Sequence, residues 1–504
     1  MKLPAVPRTV WAITALWVLL MVSYSLLFPS FRAPDEPEHF DLVLAMSNRT
    51  SYPAYDELMM SEQTTASQVA VLMGRRNLEA AEATPRGQRA TRSEFGPDIA
   101  GTRVNRMPQH PPLYYAVLGT VMRIAAPLGA DALAHDQVLW LVRLLNVILM
   151  APLPLLAFRA GSLITGSVAA GSAAALVPLA IPQLVHVGSS VNNDNLQTLL
   201  AGVLTVLLIR VIKGDNTLRL ALVVGLVTGL ALLTKGFALV LPLWVVVAYV
   251  MAWRRGVRFA IAAQRVLVIA GVSFVAGGWW WFRNLVVHGS LHRAVPLYEN
   301  VSGLDVDPAW WTRRYLTWLA ESFWGWMGWF EAKLPEVVIG IATIVVLTTL
   351  VVTFVLPASK RLLARSDAVF LLLPAVLMAP IAVNAAWSVY ANTGLTAGIQ
   401  GRYLFLAIVG IAAVLGGTWA ALRDTAARWV LAAAAVMQVA ALLTVLSTYY
   451  GAEDAGSAGR VGAWLAWAPL PAAIEIIAIG AVVVGFAVAF VALVRHDERQ
   501  VSRV

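Results

Sequence analysis

The sequence predicts an all-α integral membrane protein, built as a transmembrane bundle of about twelve helices. The chain of 504 residues is 59% apolar and only 13% charged. Soluble domains carry about 25% charged residues, so this composition excludes a water-soluble enzyme. Apolar stretches of about 20 residues recur along the chain, with short basic links between them, as in polytopic helical membrane proteins.

Thirteen apolar runs are candidates for membrane helices. They are 9–28, 113–129, 138–158, 163–187, 194–212, 218–234, 236–252, 265–287, 335–356, 368–388, 401–421, 427–448 and 470–494. If all thirteen cross and Lys2 and Arg8 are inside, Arg254 and Arg255 fall outside, against the positive-inside rule. If 113–129, which carries Arg123, lies in the outer interface as an interfacial or re-entrant helix, the basic links become cytoplasmic. We therefore predict twelve spans with both termini cytoplasmic.

The charge distribution indicates topology and gives no sign of nucleic-acid binding. The net charge is +9, yet segment 29–112 holds nine arginines against eleven carboxylates, a net charge of −2. The basic excess therefore lies in the links between apolar runs. The first run is too long for the apolar region of a signal peptide, so we expect an uncleaved span. The chain has no cysteine, so cysteine usage does not assign a compartment.

This topology makes 1–504 a single polytopic membrane domain with two long extracytoplasmic segments, 29–137 and 288–334. Within the first, 56–94 has the composition of amphipathic helix and 84–110 that of a loop. The tryptophans of the second segment are typical of a belt at the lipid headgroups, and one or two of them suit sugar stacking. We expect no soluble C-terminal domain.

Polar residues gather at the predicted outer ends of the spans. They stand in 31–40, 109–115, 189–195, 283–284 and 400–403, and at Lys235 and Glu321. Ionisable groups at span ends indicate a functional site. Each also has a simpler interpretation: a helix N-cap for Asp194, snorkelling for Lys235, an interfacial anchor for Arg402, a turn residue for His110, and solvated charges for 35–38. A solvated loop also explains the spacing of Asp305 and Asp307 better than a metal site does.

Taken together, these groups favour one kind of chemistry. Carboxylates near several cationic side chains suit a reaction in which an acceptor hydroxyl loses a proton while an anionic phosphate departs. A pocket that opens to the bilayer would admit a lipid phosphate sideways.

Five motifs in order give the chain a resemblance to a known family. They are Pro34-Asp-Glu-Pro37 with His39, His110-Pro-Pro-Leu-Tyr-Tyr115, Asn192-Asn-Asp194, Arg283-Asn284 with His288-Gly289, and Gln400-Gly-Arg-Tyr-Leu-Phe405. Over about residues 10–420 the chain resembles the bacterial DUF2142 family of predicted membrane proteins. That family in turn resembles the GT-C glycosyltransferases, such as protein O-mannosyltransferases and the aminoarabinose transferase of lipid A.

The resemblance implies a GT-C-like bundle whose partly helical first outer loop caps a cavity at the outer face of the bacterial plasma membrane. It implies transfer with inversion from a polyprenyl-phosphate sugar to a glycan, lipid or protein of the cell envelope. Asp35 matches the catalytic base, and Glu36 is the neighbouring acid. The candidates for binding the donor phosphate and substrate are His39, His110, Asn193, Asp194, Lys235, Arg283, Gln400, Arg402 and Tyr403. The resemblance requires no cofactor and leaves dependence on a divalent metal open.

Two other functions compete with this one. A transporter or flippase of polyprenyl-linked glycans would use ionisable groups near the membrane midplane, and Arg143 and Glu475 are the candidates. A noncatalytic assembly protein would keep the shell of the bundle without its chemistry. Charge-neutral replacement of Asp35, Lys235 and Arg402 would leave such a protein functional.

Overall fold

The computed structural model describes residues 5–71, 84–94, 99–291, 299–451 and 456–501. The part of the predicted amphipathic helix that falls in 72–83 lies outside these residues. The helices in order are α1 Arg8–Leu27, α2 Glu36–Asn48, α3 Glu62–Ala70, α4 Leu113–Ala125, α5 His135–Met150, α6 Leu153–Thr165, α7 Val168–Leu176, α8 Pro182–Gly188, α9 Asp194–Ile212, α10 Leu218–Leu232, α11 Leu241–Arg254, α12 Phe259–Ser273, α13 Trp279–His288, α14 Pro308–Trp324, α15 Glu336–Val355, α16 Arg365–Thr393, α17 Ile408–Leu422, α18 Ala426–Tyr449, α19 Ser457–Trp467 and α20 Ala472–Val501.

Long apolar helices dominate the described part of the chain. Ten segments there are long and apolar enough to cross a bilayer, and the broken pair Val168–Ala180 and Pro182–Gly188, bent by 74°, adds an eleventh. Two shorter apolar helices are Leu113–Leu128 and Leu218–Leu232. The prediction of an all-α, multi-pass membrane protein is confirmed, and the number of crossings stays a prediction.

The run predicted as one helix over 163–187 is instead broken. Pro178 starts a 3₁₀ turn and Pro182 starts α8, because proline cannot donate the backbone hydrogen bond that would continue the preceding helix. The chain therefore bends sharply before α9.

Small residues let the central helices approach closely. A Cβ on Gly416 of α17 would lie 2.5 Å from the carbonyl oxygen of Ala170 in α7, and one on Gly277 would lie 2.0 Å from that of Gly229 in α10. Gly277 lies in the π-helical turn Phe274–Gly278 between α12 and α13. By contrast, α15 and α20 carry exposed valines and isoleucines on their outer faces, as expected of helices that face lipid.

The first long segment is partly helical, as predicted. It contains α2, α3 and α4, and β1 (Met59–Ser61) pairs antiparallel with β2 (Ala100–Val104). α4 packs against α2 with Tyr114, Tyr115 and Leu118 buried, while Val117, Val121 and Ile124 are exposed elsewhere on the helix. An apolar exposed face suits an interfacial helix, and that position stays a prediction.

The second long segment contains α14 and a short antiparallel hairpin, β3 (Trp326–Met327) and β4 (Ala332–Lys333). Asp307 caps α14, since its Oδ1 accepts hydrogen bonds from the backbone N–H groups of Ala309 and Trp310. Asp307, one of the two aspartates whose spacing could suggest a metal site, thus serves as a helix N-cap. Neither β3 nor β4 has a recognisable sequence pattern.

Candidate active site

The segment between α1 and α2 presents Asp35 in an unusual backbone conformation. Asp35 has φ 60° and ψ 10°, in the left-handed region, and Phe31 has φ 66°. Asp35 precedes the first residue of α2, yet its side chain caps no backbone N–H of that helix. Aspartate tolerates this conformation better than most residues. The carboxylate is therefore directed away from its own helix.

Four charged side chains meet at this point, and we call Asp35, Asp194, Lys235 and Arg402 the charge quartet. Arg402 Nη2 donates to Asp35 Oδ2 at 2.9 Å, and Arg402 Nε lies 3.5 Å from Asp194 Oδ2. Lys235 Nζ donates to Asp194 Oδ1 at 2.5 Å. The structure thus brings together four residues that are up to 367 positions apart in the chain.

Three members of the quartet are buried, and the four side chains together carry no net formal charge. The side chains of Asp194, Lys235 and Arg402 are 6%, 8% and 5% exposed, whereas that of Asp35 is 31% exposed. Burial alone would raise the pKa of Asp35, but the nearby Arg402 guanidinium, helped by Lys235, holds it below the usual value. Asp35 is therefore ionised at neutral pH.

Local backbone features place each member of the quartet. Asn192 Oδ1 accepts a hydrogen bond from the backbone N–H of Asp194 at 2.8 Å and so fixes the start of α9. Lys235 is extended, with φ −158°, between α10 and the 3₁₀ turn Gly236–Val240. Gly401 precedes Arg402 at the start of the 3₁₀ turn Gly401–Ala407.

Gly401 is needed for its size. A Cβ there would lie 2.3 Å from the backbone nitrogen of Phe323 in α14, and Gly401 N–H donates to Ser322 Oγ at 2.8 Å. α14 and the Arg402 turn are therefore in direct backbone contact. The second long segment in this way sets the position of Arg402.

His39 lies one helical turn after Asp35 and joins the site to an aromatic group. Its Nδ1 lies 2.8 Å from the Tyr115 hydroxyl, and its ring stacks on Tyr115 and on His110 with centroid distances of 5.9 and 6.3 Å. Burial lowers the pKa of His39 to about 3, so the imidazole is neutral at physiological pH. The His110 carbonyl accepts a hydrogen bond from the Tyr52 hydroxyl at 2.9 Å.

Glu36 occupies a different environment from Asp35. It is fully buried, and Arg143 binds it in a bidentate pair, Nε to Oε1 at 2.8 Å and Nη2 to Oε2 at 2.6 Å. The backbone N–H of Val191 also donates to Oε1 at 3.1 Å. Arg143 further donates to the carbonyls of Ser25, Phe28 and Pro29. This pair joins α1, α2, α5 and the segment before α9, and it gives both residues a structural use.

Glu38 is the third acid of residues 35–38, and its side chain is directed towards β2 and the residues that follow it. Its Oε1 pairs with Arg106 at 3.1 Å and with Arg103 at 3.4 Å. Burial raises the pKa of Glu38, against the lowering effect of Arg106. Glu38 thus fastens α2 to the strand segment rather than joining the quartet.

The remaining predicted residues lie around the quartet at different distances. Tyr403 packs edge-on against Phe237, with centroids 4.6 Å apart, and Lys235 Nζ lies 5.2 Å from the centroid of the same ring. Asn193 is fully buried, and neither polar atom of its amide has a hydrogen-bond partner among the described residues. Arg283 packs over Trp280 in α13, and among the described residues it makes no ion pair with the quartet.

Gln400 immediately precedes the Arg402 turn. Its Oε1 is buried and has no hydrogen-bond partner in the described parts of the chain. The structure therefore brings Asp35, His39, Asp194, Lys235 and Arg402 into one group. Gln400 and Tyr403 adjoin that group through the same turn.

Sequence reasoning missed the hairpin β3–β4, which fastens the second long segment to the first. Arg32 pairs with Glu331 at 2.5 Å, and the Trp329 indole N–H donates to the carbonyl of Phe31 at 3.1 Å. Glu331 also accepts a hydrogen bond from the Tyr449 hydroxyl at 2.6 Å. A single glutamate among many loop charges gives no sequence signal for this contact.

An apolar cavity of about 200 Å³ lies beside the site, between α4, α5, α9 and α10. Its lining is Leu113, Tyr114, Val117, Leu118, Leu149, Leu196, Leu200 and Leu230. Tyr114 of this lining packs edge-on against His39, with ring centroids 6.4 Å apart, and no residue of the quartet lines the cavity. Within the described residues, no three His, Cys, Asp or Glu side chains form a group suited to a metal ion.

Comparison with known proteins gives a family and a structural neighbour. The family model described as "Predicted membrane protein (DUF2142)" matches residues 18–412. The chain is similar to the crystal structure of ArnT from Cupriavidus metallidurans bound to undecaprenyl phosphate, with 16% identity and a TM-score of 0.48, covering 96% of this chain and 75% of that one. Among curated proteins there is no match.

Proposed function

The chain belongs to the DUF2142 family of predicted membrane proteins, and we propose that it is a membrane glycosyltransferase with a GT-C-like bundle. It would transfer a sugar from a polyprenyl-phosphate donor to a hydroxyl of a cell-envelope glycan, lipid or protein. The observation that carries this proposal is the charge quartet, in which one partly exposed carboxylate adjoins two buried cations.

The proposed step uses Asp35 as the general base. The Asp35 carboxylate takes the proton of the acceptor hydroxyl as its oxygen bonds to the anomeric carbon. The bond from that carbon to the phosphate oxygen breaks on the opposite face, so the configuration inverts. General base catalysis of this kind is worth about 10²–10⁴ in rate.

Lys235 and Arg402 are the proposed partners of the phosphate. A polyprenyl phosphate leaves as a stable anion, so the step needs no general acid. Preorganised cations stabilise the charge that develops on a leaving group, and arginine matches phosphate geometry through paired N–H donors. Asp194 would hold both cations in place. The apolar cavity beside α9 would take the first isoprene units of the donor.

The position of the quartet supports action at the outer face of the plasma membrane. Asp35 follows the first span directly, and the topology with cytoplasmic termini puts the end of α1 outside. Lys235 contacts Asp194, Asp194 contacts Arg402, and Arg402 contacts Asp35, so all four lie at the same level. This orientation can be tested by labelling single cysteines in 299–303 on intact cells, since the natural chain has no cysteine.

The test of the proposed reaction is the isosteric variant Asp35→Asn. Purified protein in liposomes would receive an undecaprenyl-phosphate sugar with a radiolabel, and transfer to an envelope extract would be counted. We expect at least about 100-fold slower transfer with an unchanged melting temperature. The matched control is Asp305→Asn, which removes one exposed loop carboxylate. Parental transfer by folded Asp35→Asn protein would remove the proposed base.

A flippase is the alternative, and Glu475 is the observation that favours it. Glu475 lies in the first turn of α20, and its side chain is fully buried. Buried acids within spans often serve transport. The same liposomes separate the two functions: a flippase moves labelled lipid between leaflets without forming a covalent product, and Glu475→Gln would stop it.

A further inference from the structure

We propose that the Asp35–Arg402 bridge is a closed state of the site, which the donor phosphate opens by replacing Asp35 on Arg402. This inference rests on the proposed function and adds its regulation, because binding of the donor would then release the base. The bond that breaks in this step is the 2.9 Å hydrogen bond between Arg402 Nη2 and Asp35 Oδ2.

Asp35 is the member of the quartet whose side chain can move away from Arg402. Its side chain is 31% exposed, while that of Arg402 is 5% exposed, so Asp35 alone has solvent beside it. Within the described residues, Arg402 donates the one hydrogen bond that the Asp35 carboxylate accepts. Glu36, the next residue, is held by Arg143 and by the backbone of Val191. The side chain of Asp35 is therefore held by fewer contacts than that of Glu36.

The backbone at Asp35 also favours release. The residue has φ 60°, and its side chain caps no helix N–H. Aspartate tolerates left-handed backbone better than most residues, but the conformation still depends on surrounding contacts that hold it. The Arg402 bridge is the side-chain contact that does so at this position.

Arg402 can accept an additional anion. Its Nη1 is buried and has no hydrogen-bond partner among the described residues. Its Nε lies 3.5 Å from Asp194 Oδ2, which is a charge contact without a hydrogen bond. A phosphate brings several acceptor oxygens and fits the paired N–H groups of a guanidinium. Asp35 occupies only one of these donors.

Charge balance requires the exchange. The quartet holds two carboxylates and two cations, so an arriving phosphate leaves the buried group with a net negative charge. At low dielectric this is costly, and the least held carboxylate is the one to move. Away from Arg402, the Asp35 carboxylate binds a proton more strongly. The acceptor hydroxyl can then give its proton to Asp35 only when the donor is present.

The test measures binding of farnesyl phosphate to the full chain in detergent, by microscale thermophoresis. Asp35→Asn removes the competitor and should tighten binding about tenfold, which corresponds to about 1.4 kcal/mol. Glu38→Gln is the matched control, because it removes the same charge from the same helix turn but from a residue that pairs with Arg103 and Arg106. The affinity of Glu38→Gln for farnesyl phosphate should differ from that of the parent by less than about twofold.

The outcomes separate this inference from the proposed function. If Asp35→Asn and the parent bind farnesyl phosphate equally, or if Glu38→Gln tightens binding as much as Asp35→Asn, the exchange on Arg402 is overturned while the transferase is not. If no variant binds farnesyl phosphate, the proposed function fails as well. Equal tightening with inorganic phosphate at the same concentrations would overturn a lipid donor as the ligand that opens the bridge.

Discussion

Glu36 and Arg143 form a bidentate ion pair that is closed to solvent, with nitrogen–oxygen distances of 2.8 and 2.6 Å. Their side chains are 0% and 3% exposed. Two adjacent acids, Asp35 and Glu36, thus face opposite surroundings. Asp35 belongs to the charge quartet, and Glu36 joins the helices that support it.

We expect Glu36→Gln to lower the free energy of unfolding by about 3–5 kcal/mol, since breaking a buried pair leaves the Arg143 charge uncompensated. The melting temperature of the detergent-solubilised protein measures this. Asp305→Asn, at an exposed loop position, should leave it unchanged. A Glu36→Gln protein as stable as the parent would contradict the structural use of this pair.

Gly401→Ala should destabilise the protein and impair the site. The added Cβ would lie 2.3–2.6 Å from Phe323 atoms, and backbone there cannot yield cheaply, so about 1–3 kcal/mol is expected. Gly340→Ala is the control, since a Cβ there meets nothing within 4 Å and alanine favours a helix interior. Its melting temperature should stay level or rise. Equal melting temperatures for the two variants would count against the close approach of α14.

Gly328 and Tyr449 should show energetic coupling. A Cβ on Gly328 would lie 1.8 Å from the Tyr449 hydroxyl, and Gly328 has φ 68°. Gly328→Ala should therefore be destabilising, and Tyr449→Phe should lose the hydrogen bond to Glu331. The double variant should be more stable than the sum of the single losses predicts, because the hydroxyl that clashes is gone. Strict additivity in unfolding measurements would show that the hairpin does not pack there.

We expect His39 to lower the free energy of unfolding in mild acid. Its pKa is lowered to about 3 in the folded protein, against about 6.5 when unfolded, so the unfolded chain binds the extra proton first. Stability from this residue is full above pH 6.5 and falls as the pH drops towards 3, by about 2 kcal/mol at pH 5. His39→Gln should flatten the melting temperature between pH 7 and 5. An unchanged slope would indicate a solvated imidazole.

Hydropathy was sufficient to predict the helical membrane bundle, because each apolar run had to satisfy its backbone within a helix. The proximity of Asp194, Lys235 and Arg402 also followed from topology, since each stood at a span end on one side. The partner of Arg143 did not follow, because a midspan arginine with a distant glutamate has no periodic signature. The hairpin contact of Glu331 with Arg32 was missed for the same reason. Long-range pairing of this kind depends on how loops fold back.

The left-handed backbone at position 35 also restricts which acid the site can hold. Among the residues that tolerate this geometry well, glycine, asparagine and aspartate, aspartate alone carries a charge. Lengthening the side chain by one methylene to glutamate would therefore meet a conformational obstacle before any chemical one. The backbone conformation at this position therefore limits how far the carboxylate can extend. Adapting the pocket to a bulkier nucleophile would better be done by changing the residues around Asp35 than Asp35 itself.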